Sequence, residues 1–222
     1  MIRAVLFDMD GLIVDTEPIH FHAFRDYLRQ FGVEMPESLM RGFVGFSEAE
    51  NMRDLKEQYG IETPVEEMVL RRRAIYLELV RTEPLTVFPG FWELTEEIAK
   101  RGLKQAVVSS STRDQVEIVL PRLFEMRPDL GGLDNHFDAV VTGSDITHTK
   151  PAPDIYLLAA EKVGVPPEEC LAFEDTPPGV KAATSAGCTA VAVPNEYSRG
   201  LEFPGARAVI GSLGEAAQYL DV

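Results

Sequence analysis

Ala4-Val5-Leu6-Phe7-Asp8-Met9-Asp10 sets four apolar residues directly against an acid, with no polar residue alternating among them. A run this short and uniformly apolar reads as a strand buried on both faces, which is the habit of parallel sheets. Comparable runs recur at 105–108, 139–141, 170–173, 189–193 and 208–210. Between most of them lie helical patterns. Phe91, Leu94, Ile98 and Ala99 keep one face, as do Ile155, Leu158, Ala159 and Val163, and then Val180, Ala183 and Ala186 ahead of Gly187. Strands alternating with helices predict an α/β fold, a Rossmann-like parallel sheet. Residues 15–88 break the rhythm. Helical periodicity runs over about 17–31, 48–59 and 64–81, punctuated by Gly32, Gly60 and Pro84, and Pro89-Gly90 marks the return. The expected organisation is a Rossmann-like core of residues 1–14 and 89–222 carrying an inserted all-helical cap, 15–88.

Composition narrows the partners. At 222 residues the chain suits one large domain or a core with an insert. Its net charge is 21 − 36 = −15, which argues against nucleic acid, because few local cations remain to neutralise a phosphate backbone. No window approaches 18 uncharged apolar residues, so no membrane span is expected. The apolar stretch before Asp8 is too short for a secretory signal, and Cys170 and Cys188 form no CxxC pair. A cytoplasmic monomer with free thiols is the expectation.

Chemistry gathers where the strands end. Asp8 and Asp10 follow the first, Ser109, Ser110 and Ser111 the second, Glu174 and Asp175 a later one, and Lys150 precedes Pro151 in a turn. In open α/β sheets ligands bind at the carboxyl ends of the strands. If these ends are neighbours, four carboxylates, one lysine and a serine-rich turn share a cavity. Carboxylates packed that closely repel, and a divalent cation relieves the repulsion; ligands that are all oxygen favour Mg²⁺. The lysine and hydroxyls remain to hold an oxyanion. Such equipment suits phosphoryl transfer through an aspartyl phosphate.

Asp8-Met9-Asp10-Gly11-Leu12-Ile13-Val14-Asp15-Thr16 resembles the first signature of the haloacid dehalogenase-like hydrolase superfamily. Val107-Val108-Ser109 resembles its second, Lys150-Pro151-Ala152-Pro153-Asp154 its third, and Phe173-Glu174-Asp175-Thr176-Pro177-Pro178-Gly179 its fourth. A cap after the first motif resembles the subgroup of β-phosphoglucomutase and the small sugar-phosphate phosphatases. The resemblance implies Asp8 as nucleophile and Asp10 as general acid and then base. It implies Mg²⁺ on Asp8, the Asp10 carbonyl, Asp175 and Glu174. Ser109 and the Ser110 amide would hold phosphoryl oxygens, with Lys150 offsetting their charge. His20 and Arg72 in the cap are candidate substrate contacts, although His20 shares its helical stripe with Ala23, Phe24, Tyr27 and Leu28 and reads equally as core.

The expected activity is hydrolysis of a small phosphorylated metabolite. A phosphomutase is the alternative, and a silent binding module or a receiver-type phosphoacceptor fits less well. A mutase needs a second phosphate clamp in its cap, an arginine shortly after a glycine. Here Gly45-Phe46-Ser47-Glu48 places an acid there, which would repel a distal phosphate.

Overall fold

The computed structural model describes residues 1–43 and 46–221, and the chain forms two compact units, Met1–Asp15 with Thr86–Val222 and Thr16–Leu85. In chain order the larger unit contributes β1 (Ala4–Phe7) and β2 (Val14–Asp15). The smaller one follows with α1 (Glu17–Arg29), α2 (Glu48–Tyr59) and α3 (Val65–Thr82). The larger resumes with β3 (Thr86–Val87), α4 (Phe91–Lys100), β4 (Lys104–Val108), α5 (Arg113–Glu125), β5 (Ala139–Val141) and α6 (Asp154–Val163). It ends with β6 (Cys170–Glu174), α7 (Pro177–Ala186), β7 (Thr189–Ala192) and β8 (Ala208–Val209).

Six strands form one parallel sheet in the order β5-β4-β1-β6-β7-β8, so the core is the α/β Rossmann-like layer structure that the buried runs predict. The pleat sends alternate side chains to opposite faces. Ala4, Leu6, Ala106, Ala172 and Ala190 pack with Ile155, Ala159, Ala160, Ala182 and Ala183 of α6 and α7, where small residues let helix and sheet approach closely. On the other face the Phe7 ring meets Phe91 of α4 edge-on, with centroids 5.9 Å apart, and Phe137 at 6.2 Å. Both faces of β1 are therefore dry, as a central strand without alternation requires.

The short β2 and β3 are missing from the sequence reading. Val14 pairs antiparallel with Val87, and Asp15 with Thr86, as a two-residue ribbon belonging to the larger unit. Two residues carry no detectable period, so only the pairing reveals them.

In the smaller unit, α1 buries Ile19, Ala23, Phe24, Tyr27 and Leu28, the stripe its spacing announces. α2 starts at a capping box: the Glu50 amide donates to Ser47 Oγ and the Ser47 amide to Glu50 Oε2, satisfying two otherwise orphaned donors. It stops at Gly60 in the left-handed region. α3 buries Met68, Arg72, Tyr76 and Val80, one turn apart, so a guanidinium occupies an otherwise apolar stripe. No helix among the described residues is long and apolar enough to cross a membrane.

Candidate active site

β1 and β6 are neighbours in register, Phe7 beside Phe173, and their ends deliver Asp8 on one side and Glu174 and Asp175 on the other. All three side chains are buried, and each offers a carboxylate oxygen within 4.8 Å of the others. Lys150 reaches in from the turn before α6. Its ammonium donates to Asp8 Oδ1 at 2.5 Å, to Glu174 Oε1 at 2.6 Å and to the Val108 carbonyl at 3.3 Å. Burial raises the Asp8 carboxyl well above the ordinary value; Lys150 opposes this, and the Glu174 and Asp10 charges add to it. Burial alone would lower the Lys150 ammonium, but Asp8 and Glu174 overcome that and hold it above the usual lysine value. One ammonium against three carboxylates leaves a charge deficit of two. A hard divalent cation fits that deficit, and the donors are all oxygen.

Asp10 stands apart from this cluster. Its Oδ2 accepts from Ser109 Oγ at 3.1 Å and from Ser111 Oγ at 2.8 Å, hydroxyls presented at the end of the neighbouring β4. Ser109 Oγ also accepts the Ser111 amide at 3.0 Å, while Ser110 lies exposed at the same turn. Asp8 and Asp10, two residues apart, thus enter different environments, one ionic and one hydroxylic.

Ser111, which the sequence places at this strand end without a role, joins Ser109 in orienting Asp10. Two further contributors escape the sequence reading. Tyr156, on the inner face of α6, donates from its hydroxyl to Glu174 Oε1 at 2.5 Å, and burial together with Glu174 and Asp8 holds that phenol protonated. A polar tip on an apolar helix face was its signal. Asn195, just past β7, donates to Asp175 Oδ2 at 2.8 Å and to the Gly11 carbonyl at 3.0 Å. Inspecting the end of every strand, the β7 run included, would have found it. Gly11 is required beside it. Its φ is +82°, and a Cβ there would meet Asp175 Oδ2 at 2.4 Å and Asn195 Nδ2 at 2.5 Å.

In the smaller unit the structure brings together the two cap candidates. Arg72 Nη2 donates to His20 Nδ1 at 2.5 Å, and His20 stacks on Tyr76 with centroids 4.3 Å apart. Arg72 is fully buried over the Phe24 ring, 4.2 Å from its centroid, and donates through Nη1 to Glu48 Oε1 at 3.0 Å. Arg73 adds a second donor to Glu48 at 3.3 Å. Burial, then the Arg72 charge, pushes the His20 imidazole well below its usual value, so it is neutral at pH 7. The expectation of a bare repelling acid at Glu48 is corrected here: its charge is matched by arginines 24 and 25 residues away, partners no local pattern announces. Gly45, the other landmark of that loop, lies outside the described residues.

A parallel sheet whose central strand ends in a buried aspartate, with an acidic pair on one neighbour, hydroxyls on the other and a lysine spanning two carboxylates, defines a phosphoryl-transfer hydrolase. Residues 5–193 match the haloacid dehalogenase-like hydrolase family, and the chain belongs to it. A phosphorylated carbohydrates phosphatase of Thermotoga maritima is 34% identical over 189 residues, covering 83% of this chain and 82% of that one. A crystal structure of CbbY from Rhodobacter sphaeroides in complex with xylulose-(1,5)bisphosphate superposes with a TM-score of 0.83 at 27% identity, covering 97% and 96% of the two chains. A β-phosphoglucomutase from Clostridium difficile superposes at 0.80 with 25% identity, covering all of this chain and 96% of that one.

Proposed function

We propose that the protein is a Mg²⁺-dependent phosphatase that hydrolyses the monoester of a small phosphorylated carbohydrate through an aspartyl phosphate. The observation that carries this reading is the buried triad of Asp8, Glu174 and Asp175 within 4.8 Å, two of its members bridged by Lys150. Asp8, the Asp10 carbonyl, Asp175 and Glu174 would hold the ion. When bound, Mg²⁺ supplies charge stabilisation for the phosphoryl oxygens and keeps Asp8 ionised.

An Asp8 carboxylate oxygen attacks phosphorus, and the bond to the ester oxygen breaks. Asp10, aimed by Ser109 and Ser111, gives its proton to that leaving oxygen. Its carboxylate then takes a proton from water as the water oxygen attacks the same phosphorus, releasing Asp8 and inorganic phosphate. Lys150 screens Asp8 and the phosphoryl group, and the Ser110 amide with Ser109 offers donors to the phosphoryl oxygens. Residues 16–85 would act as the cap that selects the carbohydrate, and the phosphatase relative in Thermotoga supports that substrate class.

The mutase reading needs a free cation in the cap for a distal phosphate. Arg72 and Arg73 are committed to Glu48, which favours hydrolysis. With β-glucose 1-phosphate and a bisphosphate primer, phosphate release and glucose 6-phosphate formation are measured side by side, with and without chelator. Metal-dependent phosphate release that dominates supports the proposal. Isomerisation tenfold faster than release overturns it in favour of a mutase, and turnover undiminished in excess chelator removes the metal.

A further inference from the structure

Asp8 and Glu174 both give an oxygen to the Lys150 ammonium, whereas Asp175 receives a neutral donor. That donor is Asn195 Nδ2, whose two hydrogens are directed to Asp175 Oδ2 and to the Gly11 carbonyl in the loop that follows Asp10. The other end of the amide is equally engaged. Asn195 Oδ1 accepts the Tyr197 amide at 2.8 Å and the Ser198 amide at 3.2 Å, and Ser198 Oγ accepts the Asn195 amide at 3.1 Å. The side chain is buried, its rotamer fixed from both ends by a turn that closes on itself directly after β7. β7 runs beside β6, with Glu174 opposite Ala192, so this turn reaches the site from the strand next to the one bearing Asp175.

We propose that Asn195 is the positioning residue for the metal site: it locks Asp175 and the Gly11 loop into one ligand frame without neutralising the carboxylate. The proposal rests on the metal reading above. A lysine or arginine in this place would orient Asp175 equally well but would cancel the charge that attracts the cation. A hydrophobic residue would leave the charge but free the carboxylate to rotate. The amide does both tasks, and its neutral nitrogen carries two hydrogens, so it holds Asp175 and the Gly11 carbonyl at once where a hydroxyl would hold one. It also fixes the backbone next to Asp10, whose carbonyl belongs to the proposed ligand set. Residues that orient metal ligands typically change affinity by about 10- to 100-fold when removed.

The test titrates Mg²⁺ calorimetrically, and Mn²⁺ by electron paramagnetic resonance, into the full-length chain and its variants, with melting curves in chelator run in parallel. Asn195→Ala is expected to weaken metal binding about 10- to 100-fold and to raise the Mg²⁺ concentration for half-maximal activity by the same factor, with kcat recovering at saturating metal. Asn195→Leu matches the bulk of the amide, brings no charge and removes both donated hydrogen bonds. It is expected to lose as much affinity as the alanine variant without leaving a cavity, and it keeps the experiment decisive should alanine fold poorly. A lower melting temperature in chelator with unaltered metal affinity would reduce Asn195 to a loop brace and overturn the proposal, as would wild-type affinity in Asn195→Leu. The two readings fail separately. Metal uptake that is lost in Asp175→Ala but intact in both Asn195 variants overturns this inference alone, whereas a wild-type chain that takes up no metal overturns the metal reading and this inference with it.

Discussion

Asp8 and Asp10 leave the same strand end two residues apart, but their neighbours divide the chemistry between them. Asp8 faces an ammonium and two carboxylates, while Asp10 faces two hydroxyls. Asp8→Asn is expected to abolish phospho-enzyme formation, since an amide is a poor nucleophile. Asp10→Asn retains the nucleophile and is expected to accumulate label with an activated leaving group. Rapid-quench labelling distinguishes them, and a label surviving on Asp8→Asn refutes the assignment. His20 offers a separate test. Its folded pKa lies below the unfolded 6.5, because burial and Arg72 penalise the charged ring. Below pH 6.5 the unfolded chain therefore binds the extra proton more readily, so this contribution is complete above that pH and is lost as pH falls towards the folded value. Asp8, with a raised pKa, contributes in the opposite direction, so the comparison is made against His20→Gln. Between pH 7 and 5 the wild type is expected to lose more melting temperature than the variant.

The first turn of α7 is built around Glu174. Thr176 caps the helix by accepting the Gly179 amide at 3.3 Å, and a Cβ on Gly179 would lie 1.9 Å from Glu174 Oε2 and 2.1 Å from its carboxylate carbon. Glu174 cannot easily retreat, being held by Tyr156 and Lys150. Gly179→Ala, favourable for an ordinary helix, is here expected to destabilise the fold by about 1–3 kcal/mol through overpacking and to cut kcat/KM at least tenfold, measured by denaturant melts and steady-state kinetics. Such elements also show what the chain discloses in advance. The inner strands β4, β1, β6 and β7 were legible because a strand buried on both faces leaves a nearly unbroken apolar run, and the partly exposed edge strands β5 and β8 because their shorter runs are apolar as well. Asp8, Glu174 and Asp175 were legible because acids interrupt those runs at their ends, and Lys150 because Lys150-Pro151-Ala152-Pro153-Asp154 resembles a family motif. The Arg72–Glu48 pair was not, since partners 24 residues apart meet only through tertiary packing, and neither was the bond from Asn195 to the Gly11 carbonyl 184 residues away, although Asn195 itself stands at a strand end. β2 and β3 were hidden by brevity.

At the scale of the molecule, a charge of −15 and a buried acidic triad make the native state expensive without a counter-ion. Mg²⁺ at a hundred times its Kd is expected to add about 2.7 kcal/mol, raising the melting temperature by roughly 5–10 °C over the chelated protein. Asp175→Ala should show no such rise. The β2–β3 ribbon has a broader consequence. Val14 and Asp15 lead out of the larger unit beside Thr86 and Val87, which lead back, so the chain leaves and returns through neighbouring positions about 5 Å apart. A tight hairpin turn of two residues would close that gap. The seventy-residue segment from Thr16 to Leu85 is in this sense a parenthesis written into a hairpin. The surrounding sentence reads through without it, and any other helical phrase with adjoining ends could be set between the same brackets, giving one catalytic core a succession of different vocabularies.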